Sequence, residues 1–452
     1  MHNSKISRRS FLQWAGAGSA TLALAACAPA AAPGADTGAA SGGEAAPAGD
    51  GGSMSVATFD AVLHDWQREF AKRWADAHPE VDVQIESVVY GEMAKLQLAR
   101  AASGTMWDLV FSGIKWFPFS ASKDMFLNLD DFLANREDAN LDDFFATALE
   151  GGKLDGTLYG LPYEIHPGNP ALIAFNVDML DAAGLSVPQD DDWTVNDYAE
   201  MCVALTKPEE GVWGTNYLPG NYYDFESIAR AFNTDIMNED RTQLLFATDE
   251  ANRAAAEWIT KLRTDLMCAP NREAAQGLDF TAGAVATAQH CSCSVNGTIT
   301  TVGDNFALDF ALFPKGPEGY RGYTAFTSNY SVSATTADPD MAVDLLIYLT
   351  SEEAGTWSAL EQGTGQPNAR RSVWENEELL SKSHPIFRRV VNMYNDASIP
   401  GPFPMPSNLR FSELQDNWAN TSPDLFYGDV GFEEGLQAVQ DAMQEILDLP
   451  RA

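Results

Sequence analysis

The densest run of chemically capable side chains is Leu161-Pro162-Tyr163-Glu164-Ile165-His166-Pro167-Gly168-Asn169-Pro170, which offers a phenol, a carboxylate and an imidazole. Two other stretches stand out: the aromatic and acidic Tyr222-Tyr223-Asp224, and His290-Cys291-Ser292-Cys293 with one imidazole and two thiols. Rings, carboxylates and amides are suited to holding a polar ligand, because rings cover its apolar faces and polar groups fork onto its donors and acceptors. Imidazole and thiolate are also ordinary ligands of soft metals. Against a metal, Cys-x-Cys is narrower than the Cys-x-x-Cys spacing of tetrahedral sites, and no second pair lies nearby. The stretch therefore reads as small side chains lining a cleft, with no metal and no cofactor. No nucleophile motif, Gly-rich phosphate loop or spaced metal set appears elsewhere.

These groups need elements to position them. Gly160 and Pro162 bracket an extended piece, the residue before a proline being pushed away from helix. A polar bend follows at 166–170, then an apolar run at 171–175 that predicts a buried strand, then a helix opened by Asn176 and closed at Gly184. A chain that leaves one sheet, bends and starts another reads as a domain crossover. Upstream, strand 55–59, helix 62–77, the alternating strand 81–86, helix 92–102 and strand 108–111 predict an α/β lobe with a largely parallel sheet. Downstream, Thr194 and Thr248 cap helices, and strands are expected at 212–217, 306–313 and 330–334.

The N-terminus is of a different kind. Ser7-Arg8-Arg9-Ser10-Phe11-Leu12 and the Ala/Gly-rich stretch to Ala26 resemble a twin-arginine export signal, too short for a comfortable membrane span. Leu24-Ala25-Ala26-Cys27 resembles a lipobox, which makes Cys27 the lipidated first residue of the mature chain. Residues 28–54 hold almost nothing but Ala, Pro, Gly, Ser, Thr and Asp, and read as a disordered tether. The expectation is an extracytoplasmic body lipid-anchored to the cell membrane, periplasmic or at the cell surface. That body is long enough for two domains. A formal charge of −36, more negative once Lys5, Arg8 and Arg9 are removed, excludes nucleic acid, whose phosphates call for clustered Lys and Arg. Cys202, Cys268, Cys291 and Cys293 allow three full disulfide pairings or free thiols, and sequence does not choose.

Several phrases then line up in order: Leu158-Tyr159-Gly160-Leu161-Pro162-Tyr163-Glu164, the run 174–185, Trp193-Thr194-Val195-Asn196-Asp197-Tyr198, Phe280-Thr281-Ala282-Gly283-Ala284-Val285-Ala286, Phe313-Pro314-Lys315-Gly316-Pro317 and the run 342–350. Together they resemble the extracellular solute-binding proteins of bacterial ABC importers, of the maltose-binding type. The resemblance implies a two-lobed α/β periplasmic-binding-protein fold of type II, each lobe a mostly parallel sheet flanked by helices, with the ligand cleft between lobes. It implies 1–26 as signal peptide and 27–54 as lipidated Cys and tether. Lobe one would hold 55–163 plus 324–365, and lobe two 164–323 plus 366–452. Hinges are expected near 162–166, 314–324 and 363–367.

On that fold the candidate ligand residues are Phe59 and Asp60 after the first strand, Ser112 and Trp116 after the third, and Tyr163, Glu164 and His166 at the first crossover. Tyr222, Tyr223 and Asp224 form a loop where the family presents a stacking residue. His290, Cys293 and Asn296 stand where members commonly carry a Gly-x-Trp turn, and Asn329, Tyr330 and Arg410 complete the set. Partners are a small solute, expected to be a carbohydrate, and the permease subunits of an ABC transporter; the protein itself is expected to be a monomer. The acid excess prompts a second version with a polyamine or other cationic solute. The abundance of Asp, Glu and Trp prompts a rival from another class, a membrane-anchored glycoside hydrolase.

Overall fold

The computed structural model describes residues 52–60, 65–189, 192–361, 368–395, 403–404 and 408–450. The export signal, Cys27, nearly all of the tether and the hinge expected at 363–367 lie outside the described residues. The strands, in chain order, are β1 (Ser53–Phe59), β2 (Asp82–Val88), β3 (Leu109–Gly113), β4 (Lys153–Leu154), β5 (Thr157–Leu158), β6 (Leu161–Pro167), β7 (Leu172–Asn176), β8 (Trp213–Thr215), β9 (Val285–His290), β10 (Leu308–Leu312), β11 (Thr324–Val332) and β12 (Phe403–Pro404).

They form two main sheets, one ordered β12-β11-β3-β1-β2 with β6 also on β11, the other ordered β10-β7-β9-β8; β4 and β5 make a separate hairpin. In sheet one, β1 runs parallel to β2 and β3, while β11 is antiparallel to β3 and β6. In sheet two only β8 and β9 are parallel; β7 opposes both β9 and β10. Sheet one is thus mixed, with β11 also parallel to β12 and most of its pairings parallel, whereas sheet two is mostly antiparallel, not parallel as expected. The chain leaves sheet one through β6 into β7 and returns through β10 into β11, so outgoing and returning strands must run against each other.

Apolar periodicity explains the layers. The helix Asp65–Ala77 buries Trp66, Phe70 and Trp74 at four-residue spacing and turns Arg68, Glu69 and Lys72 outward. β7 is buried on both faces: Leu172 and Ala174 join the core shared with sheet one, while Ile173 and Phe175 join a second core behind sheet two. Helix starts follow capping chemistry. The Thr194 hydroxyl and Asp197 carboxylate form a reciprocal capping box, and the side chains of Asn176, Asp249 and Asp338 each accept from a first-turn amide.

Two expectations shift. β6 continues to Pro167, so the first crossover is 168–171, and Tyr163, Glu164 and His166 lie inside a strand of sheet one. Helices Arg371–Trp374 and Glu377–Lys382 pack on Glu352–Leu360, and Ile386–Asn395 lies on β10. Among the described residues of 366–452, Phe411–Tyr427 and Phe432–Leu447 enter the core behind sheet two, while Ala369, Val373, Trp374, Leu379 and Phe387 join the core of sheet one. The return crossover 313–323 presses on helix Tyr222–Ala231: a Cβ at Gly322 would collide with the Ser227 carbonyl and the Ala231 amide. Gly322→Ala is expected to cost about 1–3 kcal/mol, lowering the melting midpoint by several degrees. Gly91→Ala, whose Cβ meets nothing, should hold or raise it. Calorimetry showing equal midpoints for the two would contradict this packing.

Candidate functional site

Between the two sheets three rings surround one ammonium. Lys115 Nζ lies 5.2 Å from the ring centre of Tyr223, 5.7 Å from Tyr90 and 5.8 Å from Phe326, within the range where a ring's negative face attracts a cation. Four elements deliver these groups. Tyr90 opens helix Tyr90–Ser103 directly after β2, Lys115 sits in the turn after β3, and Phe326 belongs to β11. Tyr223 comes across the gap, from the first turn of helix Tyr222–Ala231. The parallel strands point their C-terminal ends here, where open α/β sheets bind ligands. The turn after β3 needs a glycine, because the Trp116 ring folds back on Gly113 and would meet a Cβ at 2.7 Å. Trp116 in turn stands edge-on to Tyr90 at 5.1 Å, and Phe59 stacks on Phe111 at 5.7 Å behind it.

One carboxyl, Asp224, borders the ammonium, and a second, Glu164, acts on the neighbouring Tyr90. Asp224 accepts from Asn221 Nδ2 at 2.9 Å. Burial pushes it up to about 7, with Asn221, Lys115 and Asn169 opposing. Burial likewise pushes Glu164 up to about 7, against the Ser328 hydroxyl. Lys115 is pulled down by burial and supported by Asp224. His166, stacked on Phe326 at 4.9 Å, is driven to about 4 by burial, opposed by the Pro167 carbonyl, with Lys115 adding to the fall. Near neutral pH each carboxyl can therefore donate or accept, which is the versatility that recognition of hydroxyls requires. The buried Tyr90 hydroxyl, Ser112 Oγ, Trp116 Nε1 and Asn169 Oδ1 make no hydrogen bond among the described residues, and such atoms are costly unless something meets them.

Residues 60–356 match the model of the bacterial extracellular solute-binding proteins. The chain belongs to that family. Residues 5–25 match the twin-arginine translocation signal, which marks this solute-binding protein for export. It is 24% identical over 351 residues to a mannitol-binding protein of Pseudomonas aeruginosa, covering 73% of this chain and 76% of the relative. An ABC substrate-binding protein of Listeria monocytogenes in complex with cycloalternan superposes with a TM-score of 0.74 at 20% identity, covering 88% of this chain and 99% of that one. A solute-binding protein of Agrobacterium radiobacter in complex with ribitol gives 0.68 at 18%, covering 87% and 98%. The fold is the type II periplasmic-binding-protein fold.

Of the residues singled out from sequence, His166, Tyr223 and Asp224 gather around Lys115, Trp116 and Glu164 flank its neighbour Tyr90, and Phe59 lies behind them. Tyr223 and Asp224 do so from a helix, not a loop. Others have structural work. Tyr163 and Tyr330 are buried 5.4 Å apart in the layer beneath, Tyr163 edge-on to Trp66. Tyr222 is fully buried against Phe411, and Asn329 Nδ2 donates to the Gly151 carbonyl at 2.9 Å. Asp60 is exposed beyond β1, and Asn296 is half-buried on helix Val295–Val302. Arg410 pairs with Glu413 at 2.9 Å and borders a separate cavity of about 390 Å³ with Phe119, Lys153 and Arg241, which none of the groups around Lys115 lines. His290 lies between Phe280 and Phe310 with Nδ1 2.8 Å from Ser294 Oγ, and burial alone drives it to about 4. Cys291 and Cys293 form a disulfide; Cys202 and Cys268 are buried free thiols.

Sequence reasoning missed Tyr90, Lys115, Asn169 and Phe326. The rule that selected Phe59 and Ser112, a residue just past a parallel strand, applies equally to Tyr90. A lysine between Ile114 and Trp116 in so acidic a chain was the signal for Lys115.

Glu164 makes the site pH-dependent. Its folded pKa is raised, so it contributes stability in full below its ordinary value of 4.5, lost as pH climbs through about 7. Glu164→Gln should therefore gain on the wild type by up to about 3 kcal/mol across that window. Urea titrations at a series of pH values read the difference, and a flat difference would rule out a buried neutral carboxyl.

Proposed function

We propose that this protein captures a polyol or small neutral sugar between its sheets and hands it to the permease of an ABC importer. The observation that carries this is the Lys115 centre: rings from sheet one and from helix Tyr222–Ala231 able to cover C–H faces, with two nearby carboxyls held near neutrality able to pair with hydroxyls. The mannitol-binding relative and the ribitol and cycloalternan complexes of similar folds support a hydroxyl-rich solute. An ammonium at the centre disfavours the polyamine version, because like charges repel in a site shielded from water. The glycoside hydrolase reading is set aside on family membership. Segments 168–171 and 313–323, the two chain crossings between the sheets, act as hinges in this reading. Cys27, lipidated, tethers the monomeric body to the membrane.

Isothermal titration against mannitol, ribitol, other polyols and mono- to tetrasaccharides tests the solute class. Saturable binding of at least one is expected; heat only with polyamines, or with nothing, would refute it. Lys115→Met should weaken that binding roughly ten- to hundredfold, the range for losing a charged hydrogen-bond donor. For the anchor, Cys27→Ala should move the protein from the membrane to the soluble extracytoplasmic fraction. Unchanged membrane retention would remove the lipid.

A further inference from the structure

The Cys291–Cys293 pair has a third neighbour that the sequence places far away. His166, at the end of β6 in sheet one, reaches the two cysteines that follow β9 in sheet two. One donor atom from each of the three residues lies within 4.8 Å of the others. Zinc–sulfur bonds of about 2.3 Å and zinc–nitrogen bonds of about 2.0 Å set the donors of one ion roughly 3.5 Å apart, so the group reaches that span once the bonded sulfurs part and the imidazole closes by about 1 Å. Two sulfurs and an imidazole are the donor set that soft ions select. His166 is buried and the cysteines are half-buried, so a bound ion would be largely shielded from solvent.

The disulfide itself has little structural work. It encloses one residue, Ser292, and so removes little chain entropy from the unfolded state. The neighbourhood is already joined by the Ala171 amide, which donates to the His290 carbonyl at 3.0 Å. His290, the imidazole adjacent in sequence, is turned away to Ser294 and the surrounding rings.

We propose that His166, Cys291 and Cys293 form a redox-gated site for a thiophilic metal ion, zinc(II) or copper(I), beside the first crossover. In the oxidised state the sulfurs are spent on each other. A dithiol reductant opens the site: its thiolate attacks one sulfur, the S–S bond breaks, two electrons and two protons pass to the cysteines, and the reductant leaves as its own disulfide. The ion then takes the place of both thiol protons, which are released to solvent. Bound, it joins β6 to the end of β9 and bridges the two sheets. On the reading that solute is captured by lobe closure, it would hold the lobe angle fixed.

The test uses the exported protein without any solute, so its outcome is independent of what the cleft binds. Protein is either kept oxidised or reduced with a phosphine, freed of reductant without air, loaded with zinc(II) or copper(I) and desalted. Metal is then counted by mass spectrometry. One ion per chain is expected on the reduced form and none on the oxidised form. Cys291→Ser and Cys293→Ser should each abolish retention, His166→Gln should weaken it at least tenfold, and Cys202→Ser should leave it intact. In the unmutated reduced protein, metal should slow alkylation of Cys291 and Cys293 at least tenfold, as read by peptide mass spectrometry, which needs no variant to fold. Failure of the reduced protein to retain either ion, retention by Cys291→Ser equal to wild type, or alkylation indifferent to metal would each overturn the site.

Discussion

The register between β6 and β11 is the constraint on which the rest depends. Opposite each other across that pair stand His166 and Phe326, Glu164 and Ser328. The first pair stacks, and in the second the Ser328 hydroxyl stands near the buried carboxyl and opposes its rise, without a hydrogen bond of good geometry. A slip of one residue would turn Phe326 away from Lys115 and move Ser328 off the face it shares with Glu164, because side chains alternate faces along a strand. The register is held from both ends: β11 pairs with β3 through Leu109–Gly113, and its first residues meet β12. Since β6 leads out to sheet two and β11 leads back from it, the same pair also fixes where the two halves of the molecule begin.

From that seam the electrostatics follow. The molecule is strongly acidic, yet at its centre one lysine faces three rings and Asp224, with Glu164 acting on one of those rings, Tyr90; burial holds both carboxyls near half-protonation. Desolvation acts in opposite senses on the two kinds of group, raising the acids and lowering the base. The site is brought closer to neutrality, which suits a solute carrying many hydroxyls and no charge. The acid excess of the remaining surface reads as solvation and does not describe the cleft.

Sequence by itself determined the class of molecule. The export signal, the alternation of strand and helix periodicity, the caps at Asn176 and Thr194, and the ordered family phrases depend on local chemistry and survive being read one residue at a time. Trp116, Glu164, His166, Tyr223 and Asp224 could be picked out because they sit near strand ends or beside Gly/Pro bends, which are local facts too.

What only the tertiary structure decided is everything that rests on distance in space between residues far apart in the chain. Tyr163 and Glu164 are neighbours in one strand, yet pleating sends one phenol into the core with Tyr330 and sets the carboxyl against Ser328. Lys115 became central only when Tyr223, more than a hundred positions later, was folded against it. The cysteines at 291 and 293 have His290 as their sequence neighbour, but the antiparallel run of β7 on β9 and the turn at 168–171 bring them His166 instead. Spacing along a chain reports which groups can share an element; the pairing of elements decides which groups meet.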